Sequence, residues 1–229
     1  MKKLLCVLFI ISILCGMLGG CIGKTPAKSS SQMQSSLADS SKDEAQSDPD
    51  PLYRSITDAE KQELQAYLND VANNGFVSYC HYYTSPEKID LSTVFYDGAG
   101  VGTRVSDTWS EQEHQAVLNA VGINEFYFPV YKVTRAAVEA VVQEKLGISI
   151  DDIESDITDG FHYVEAYDAY YSAHSDSNMN PVTITGGKTD NSGLYIIEYD
   201  YSFDTNKKMI VTLRKTDTGY QFVSNVKAE

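Results

Sequence analysis

The tightest constraint on the fold lies in the last third of the chain, where apolarity alternates with period two. From Leu194 to Phe203 one side carries Tyr195, Ile197, Tyr199, Tyr201 and Phe203, and the other carries Leu194, Ile196, Glu198, Asp200 and Ser202. Only a strand with one buried face sends successive side chains to opposite sides in this way. The next run places Met209, Val211 and Leu213 on one side, and the last places Tyr220, Phe222 and Val226. Three half-buried strands in succession predict an antiparallel meander. Parity then specifies the turns. Tyr199 opposite Val211 and Tyr201 opposite Met209 need an odd connection, Asp204-Thr205-Asn206, with Asn206 left-handed. Leu213 opposite Phe222 needs an even one, Thr216 to Gly219. An earlier strand at Val182–Thr185 joins through the turn region Gly186–Gly193.

One apolar sheet face must be covered, and the first half of the chain supplies the cover. Thr57-Asp58-Ala59-Glu60 is a capping box opening a helix with Leu64, Tyr67, Leu68 and Val71 on one face, which Asn73-Asn74-Gly75 stops. Ser110-Glu111-Gln112-Glu113 is a second box, ahead of Val117, Leu118 and Val121, with Gly122 as stop and Trp109 packed on the helix entry. Thr134 caps a third helix, carrying Val138, Val141, Val142 and Leu146 and closed by Gly147. Between them, Phe76–Tyr83 and Phe126–Val133 read as strands, Pro129 placing the latter at an edge or bulge. Pro86–Gly98 reads as a turn leading into a short helix capped by Asp90, with Leu91, Val94 and Phe95 inward. Ile148–Ile157 reads as one more short acidic helix. Gly98-Ala99-Gly100-Val101-Gly102 lacks the preceding strand and following Lys-Ser/Thr of a phosphate cradle, and is expected to be a mobile surface loop. The fold class is therefore α+β, about three amphipathic helices on one face of a C-terminal antiparallel meander. That arrangement is similar to NTF2-like or cystatin-like folds.

The N-terminus bears on location. Lys2 and Lys3 precede an apolar run from Leu4 to Leu18, followed by Gly19, Gly20 and Cys21. A basic start, a short apolar core and a small-residue exit form the pattern of a secretory signal peptide. The run of about fifteen residues falls short of the roughly 20 that a membrane-spanning helix needs. Leu18-Gly19-Gly20-Cys21 resembles the lipobox of bacterial lipoproteins. The resemblance implies cleavage before Cys21, which becomes the lipid-attachment residue, and a chain held on the outer face of the cell membrane. A diacylglyceryl group supplies two acyl chains, enough for lasting anchorage where one chain binds only marginally.

The division that follows is 1–20 leader, 21–50 lipidated cysteine and tether, and 51–229 a single α+β extracytoplasmic domain. Residues 22–50 are rich in Ser, Gln, Asp and Lys and poor in large apolar groups, a composition expected to be disordered. As a coil such a tether reaches roughly 30 Å. The whole chain carries a formal charge of −14, and the leader accounts for two of its eighteen basic residues and no acid. The strong acidic excess argues against nucleic acid as a partner and against a basic grip on anionic lipid. Of four cysteines, only Cys21 and Cys80 follow the leader, so with Cys21 lipidated no intrachain disulfide can form.

Chemistry has few footholds. Cys80 and His81 are adjacent, and neighbours along a strand point apart, so Cys80 reads as an inert buried thiol. Glu165–Asn180 gathers Asp168, His174 and Asp176, from which a carboxylate could orient His174 as a general base. Asp176, Asn178 and Asn180 match the opening of a calcium loop, but Pro181 stands where glycine is required and Gly187 where a bidentate glutamate belongs. No metal or cofactor is expected. The sixteen tyrosines all follow the leader and suggest cross-strand aromatic pairs, each worth roughly 0.2–1 kcal/mol. Tyr167-Asp168-Ala169-Tyr170-Tyr171 with His174-Ser175-Asp176, and the terminal Tyr220-Gln221-Phe222-Val223-Ser224-Asn225, resemble exported proteins of clostridia and other Gram-positive relatives, a likeness that covers most of residues 52–229. The expected function is a non-enzymatic domain, anchored to the membrane by lipid, that binds a small ligand, a peptide or an envelope protein. The alternative is a cell-surface hydrolase using His174 with Asp168 or Asp176. Deleting residues 22–50 should leave the melting temperature of the remaining domain unchanged in a thermal scan; a large drop would assign the tether a folded role.

Overall fold

A computed structural model describes residues 52–79, 81–155, 157, 160–174 and 179–228. All of them fall within the unit Ser47–Glu229. The leader, Cys21, the tether, Cys80, Asp176 and Asn178 lie outside the described residues. Thirteen elements run in the order β1 (Tyr53–Ser55), α1 (Asp58–Leu68), α2 (Leu91–Asp97), β2 (Thr103–Arg104), α3 (Glu111–Val121), β3 (Val130–Thr134), α4 (Arg135–Leu146), β4 (His162–Val164), β5 (Ala169–Ala173), β6 (Val182–Asp190), β7 (Leu194–Tyr201), β8 (Asp204–Thr216) and β9 (Gly219–Lys227). The strands form two antiparallel sheets, β1-β6-β7-β8-β9 and β2-β3-β5-β4. The α+β class and the C-terminal meander are as the alternation predicts. The second sheet is additional, and the described helices number four.

In the large sheet Tyr195, Ile197, Tyr199 and Tyr201 of β7 are buried together with Met209, Val211 and Leu213 of β8 and Tyr220 and Phe222 of β9. Leu213 faces Phe222 as parity requires. The β7–β8 register is displaced by two residues, Tyr199 facing Met209 and Ile197 facing Val211. The cause is a tighter turn of two residues, Ser202 and Phe203, followed by a bulge between Asp200 and Tyr201 that leaves Thr205, Asn206 and Lys207 extra on β8. Phe203 is therefore 59 % exposed instead of inward, and among the described residues Asp168 is the only non-glycine with positive φ, which leaves Asn206 ordinary. On β9 the register shifts between Thr212 and Leu213, leaving Val223 as an extra residue. The pleat inverts beyond that bulge. Asn225 therefore turns inward, fully buried, and Val226 does not.

The helices begin and end where their caps dictate. Thr57 completes its capping box with Glu60, Asp90 accepts from Ser92 and Thr93, Thr134 accepts from Ala137, and Gly122 and Gly147 are left-handed stops. Helix α1 is shorter than its apolar spacing suggests, and Val71 lies beyond it, 55 % exposed. Leu64 and Leu68 of α1, and Val138, Val141, Val142 and Leu146 of α4, close the face of the large sheet. Tyr67 adds its ring against Tyr220 at 5.1 Å and Phe222 at 5.8 Å. Helix α3 serves the second sheet, where Val117 packs with Val130, Val164, Ala169 and Tyr171.

Three local expectations are corrected. Phe76–Tyr83 forms no strand: residues 74–77 make a 3-10 turn, and only Tyr83 bridges, to Asn225. Its aromatics instead serve packing, Phe76 stacking on Phe222 at 4.6 Å. Among the described residues of Ile148–Ile157 there is a single 3-10 turn, Ile150–Asp152, because Ser149 caps it and the Glu154 N–H leaves to donate to the Glu87 carbonyl. The segment 98–102 is exposed from Gly100 onward as a surface loop should be, but its start is wedged, with Ala99 buried and Gly98 accepting from the Gly75 N–H. A Cβ at Gly75 would stand 2.4 Å from the Val94 carbonyl oxygen, so only glycine permits this approach.

Strand β6 pairs with β1 only from Lys188 to Asp190, so its first half is an edge. Two amide side chains of α1 occupy that edge. Asn69 accepts from the Val182 N–H at 2.8 Å and donates to the Val182 carbonyl at 3.0 Å. Gln65 donates to the same carbonyl and accepts from the Ile184 N–H at 2.8 Å. They do for β6 what a neighbouring strand would. Gln65→Leu or Asn69→Leu should each cost about 1–3 kcal/mol in urea unfolding, because backbone groups lose their partners. Gln62→Leu on the exposed side of α1 should stay within about 0.5 kcal/mol; equal losses at all three positions would show the edge needs no such cover.

Candidate functional site

The second sheet positions the residues that the sequence marks for chemistry, and it separates them. Asp168 precedes β5 in the left-handed conformation, φ 42°, and its carbonyl accepts from the Arg135 N–H. Its carboxylate accepts from the Tyr163 hydroxyl at 2.7 Å. His174 follows β5, at the other end of a strand whose extended backbone spans roughly 20 Å over those six residues. Its N–H donates to the Pro129 carbonyl. Its ring stacks on Tyr131 at 4.4 Å and tilts against Tyr96 at 4.8 Å. Its Nδ1 is buried with no partner among the described residues, and burial holds its pKa below the ordinary range. The sheet therefore keeps His174 and Asp168 apart. Asn180, the described member of the calcium pattern, gives its backbone to the Asn74 side chain, and among the described residues no cluster of three or more His, Cys, Asp or Glu could hold a metal.

His81 has a structural task. It is 4 % exposed, its Nδ1 lies 3.2 Å from the Gly75 carbonyl, and its Nε2 accepts from the Asp90 N–H at 3.3 Å. Donation from Nδ1 and acceptance at Nε2 describe a neutral ring. Burial lowers its pKa in spite of Asp90 and Asp97 nearby. Asp97 moves the other way, raised by its own burial.

Sequence reading missed a polar contact under α3. Glu113, spaced to close a capping box with Ser110, leaves Ser110 capping alone and reaches the second sheet. There it accepts from Lys132 Nζ at 2.8 Å and from the Tyr171 hydroxyl at 2.6 Å. Burial pushes its pKa up, but those two bonds more than offset this and hold it below the ordinary value. The Lys132 ammonium also lies 5.2 Å from the Tyr167 ring centroid. Glu113, Lys132 and Tyr171 are 58 residues apart at the extremes, and only β3–β5 pairing brings them together.

Beside this contact is a groove of about 320 Å³. Tyr171 and Ala173 of β5, with Val121 of α3, line one side. The loop after α3 supplies Ile123, Glu125, Phe126, Tyr127 and Phe128, and Gly160 and His162 close the end. Tyr127 is 86 % exposed and Phe128 54 % exposed, large apolar area left in water. A second cavity of about 450 Å³ adjoins it, with Gly160 and Ala173 lining both. A broader hollow of about 560 Å³ over α1 is lined by polar helix surface that includes the edge-capping Gln65 and Asn69. The aromatic groove is the stronger site, being of small-ligand size and mostly apolar.

No family model matches the chain, and neither the curated proteins nor the solved structures give a significant match. The fold defines it as an α+β domain with a C-terminal antiparallel meander. Among the described residues, no helix is long and apolar enough to cross a membrane.

The two histidines make stability depend on pH. Each has its pKa lowered by folding, so the unfolded chain takes up their protons first. Their contribution is complete above the ordinary value of 6.5 and is lost as pH falls from there toward the lowered values. Asp97 acts in the opposite sense but closer to its ordinary 3.8. The urea midpoint should therefore fall between pH 7.5 and 5.5. His81→Gln, which keeps one donor and one acceptor, should shrink that fall, and adding His174→Gln should remove most of the remainder; an undiminished fall would place the titration elsewhere.

Proposed function

We propose that this chain is a lipid-anchored lipoprotein of the outer membrane face whose folded domain binds a ligand without performing chemistry on it. The observation that carries the binding reading is the aromatic groove, with Tyr127 and Phe128 held out in water at its rim. Exposed apolar area of this kind beside a concavity is a recognised mark of a binding site. The anchoring reading rests on Leu18-Gly19-Gly20-Cys21 and the short apolar run before it. A hydrolase through His174 would need a carboxylate within hydrogen-bond reach. Asp168 is committed to Tyr163 at the far end of β5, and His174 is flanked by two tyrosine rings.

Two measurements test the two halves. Cys21→Ala should abolish lipid attachment and release or misprocess the protein; unchanged retention in the membrane fraction would favour a spanning N-terminal segment. For the groove, 2-phenylethanol serves as a neutral aromatic probe in NMR titration of residues 21–229 carrying Cys21→Ala. It should shift resonances of Tyr171, Ala173 and Phe126. Tyr127→Ala with Phe128→Ala should weaken that binding severalfold while changing stability by no more than about 0.5 kcal/mol per substitution, as expected for exposed side chains. Shifts spread evenly over the surface would remove the groove as a site.

A further inference from the structure

The two adjoining cavities differ in chemistry. The aromatic groove offers Phe126, Tyr127, Phe128 and Tyr171 to an apolar group. Its neighbour is lined by Asp90, Thr93, Tyr96, Asp97 and Ser172. Among the described residues, no lysine or arginine lines either cavity; Glu125 and His162 are the titratable groups of the aromatic groove. The Asp90 carboxylate is occupied, accepting from the Ser92 and Thr93 N–H groups and the Thr93 hydroxyl. Asp97 is different. It stands partly buried at the end of α2 beside the Ser78 hydroxyl and the neutral His81 ring, and forms no ion pair among the described residues. Ser172, only 5 % exposed, lines the same cavity, and its hydroxyl takes no partner among the described residues. Among the described residues, a half-buried carboxylate without an ion pair and a buried hydroxyl without a partner thus face a space lined by no lysine or arginine.

The two smallest lining residues, Gly160 and Ala173, are shared by both cavities and form the saddle between them. A Cβ built on Gly160 would meet nothing within 4 Å, so this saddle is open. It crosses the end of the second sheet, where β5 has finished and β4 has not begun. One molecule can therefore rest in both lobes, with its apolar part against the aromatics and its polar end beside Asp97.

We propose that the site takes a small organic cation, an ammonium joined by a short linker to an aromatic or branched aliphatic group. The inference rests on the groove being the binding site proposed above, and it adds the charge that the ligand must carry. The ammonium donates to the Asp97 carboxylate and to the Ser172 hydroxyl oxygen, the first without an ion pair and the second without a hydrogen-bond partner among the described residues. Charge-assisted bonds of this kind are shorter and stronger than neutral ones, and they strengthen where water is partly excluded. An anion of the same shape would meet repulsion from Asp97, Asp90 and Glu125. The acidic balance of the whole chain acts in the same direction at longer range.

The test compares three probes of one shape at pH 7, by NMR titration and calorimetry on residues 21–229 carrying Cys21→Ala: 2-phenylethylammonium, neutral 2-phenylethanol and anionic 3-phenylpropionate. The ammonium should bind about tenfold more tightly than the alcohol, and the propionate more weakly than either, consistent with one charge-assisted bond. Asp97→Asn should bring the ammonium down to the affinity of the alcohol and leave the alcohol unchanged. Ala173→Phe, which fills the saddle, should weaken the ammonium while the fold persists by circular dichroism. If the alcohol binds in the groove but the ammonium binds no better, the charge assignment is wrong and the groove stands. If none of the three binds there, the groove itself is wrong. If the ammonium binds tightly but is indifferent to Asp97→Asn, its site lies elsewhere and the inference falls.

Discussion

Tyrosine hydroxyls tie the two halves of the domain together. The ring of a buried tyrosine fills core like phenylalanine, but its oxygen must still find a partner. Tyr199 donates to the Asn225 side chain at 2.8 Å, Tyr201 to the Ser78 carbonyl at 2.8 Å, and Tyr83 to the Phe76 carbonyl at 3.1 Å. Asn225 in turn donates to the His81 carbonyl at 2.7 Å and exchanges both backbone bonds with Tyr83. The irregular segment 76–83 has no ladder of its own, and these groups of the sheet satisfy much of its backbone. The same demand explains the bulge at Val223. Without it Asn225 would face outward and Val226 inward, and the carbonyl of His81 would lose its donor.

The parts of the fold legible in the sequence are those set by local rules. Period-two alternation located β7, β8 and β9, and the Thr57, Asp90, Ser110 and Thr134 caps located four helix starts within a residue. What escaped depends on groups distant in sequence. Strand β5, Ala169–Ala173, is buried at four consecutive positions because the second sheet packs on both faces, so it shows no alternation to detect. The Phe76–Tyr83 run is rich in β-prone residues, yet its rings were needed by the core more than its backbone was needed by a sheet. The turn after Tyr201 is even where an odd one was expected, and the three-residue bulge at Thr205–Lys207 restores the parity, so the right faces meet with the register two residues away.

The candidate site was less legible than the fold. Proximity in sequence drew attention to Asp168 and His174, and a strand then placed them at its opposite ends. The groove is assembled from α3, the loop after it and β5, segments about fifty residues apart, and its aromatic residues read as part of a strand or as cross-strand pairs. Only exposure distinguishes them: Phe126 and Tyr171 are shielded, while Tyr127 and Phe128 on the same loop are not. A hint was present in the run Phe126-Tyr127-Phe128-Pro129, because three consecutive aromatics cannot all turn to one side of an extended chain.

The amides of Gln65 and Asn69 give α1 a role in solubility as well as in packing. A sheet whose outermost strand is finished by side chains of a helix cannot recruit a further strand from another molecule while that helix stays docked. Fraying of α1 would expose Val182–Ile184 as a template for self-association. The colloidal behaviour of this protein is therefore set by the local opening free energy of one eleven-residue helix, not by its net charge alone.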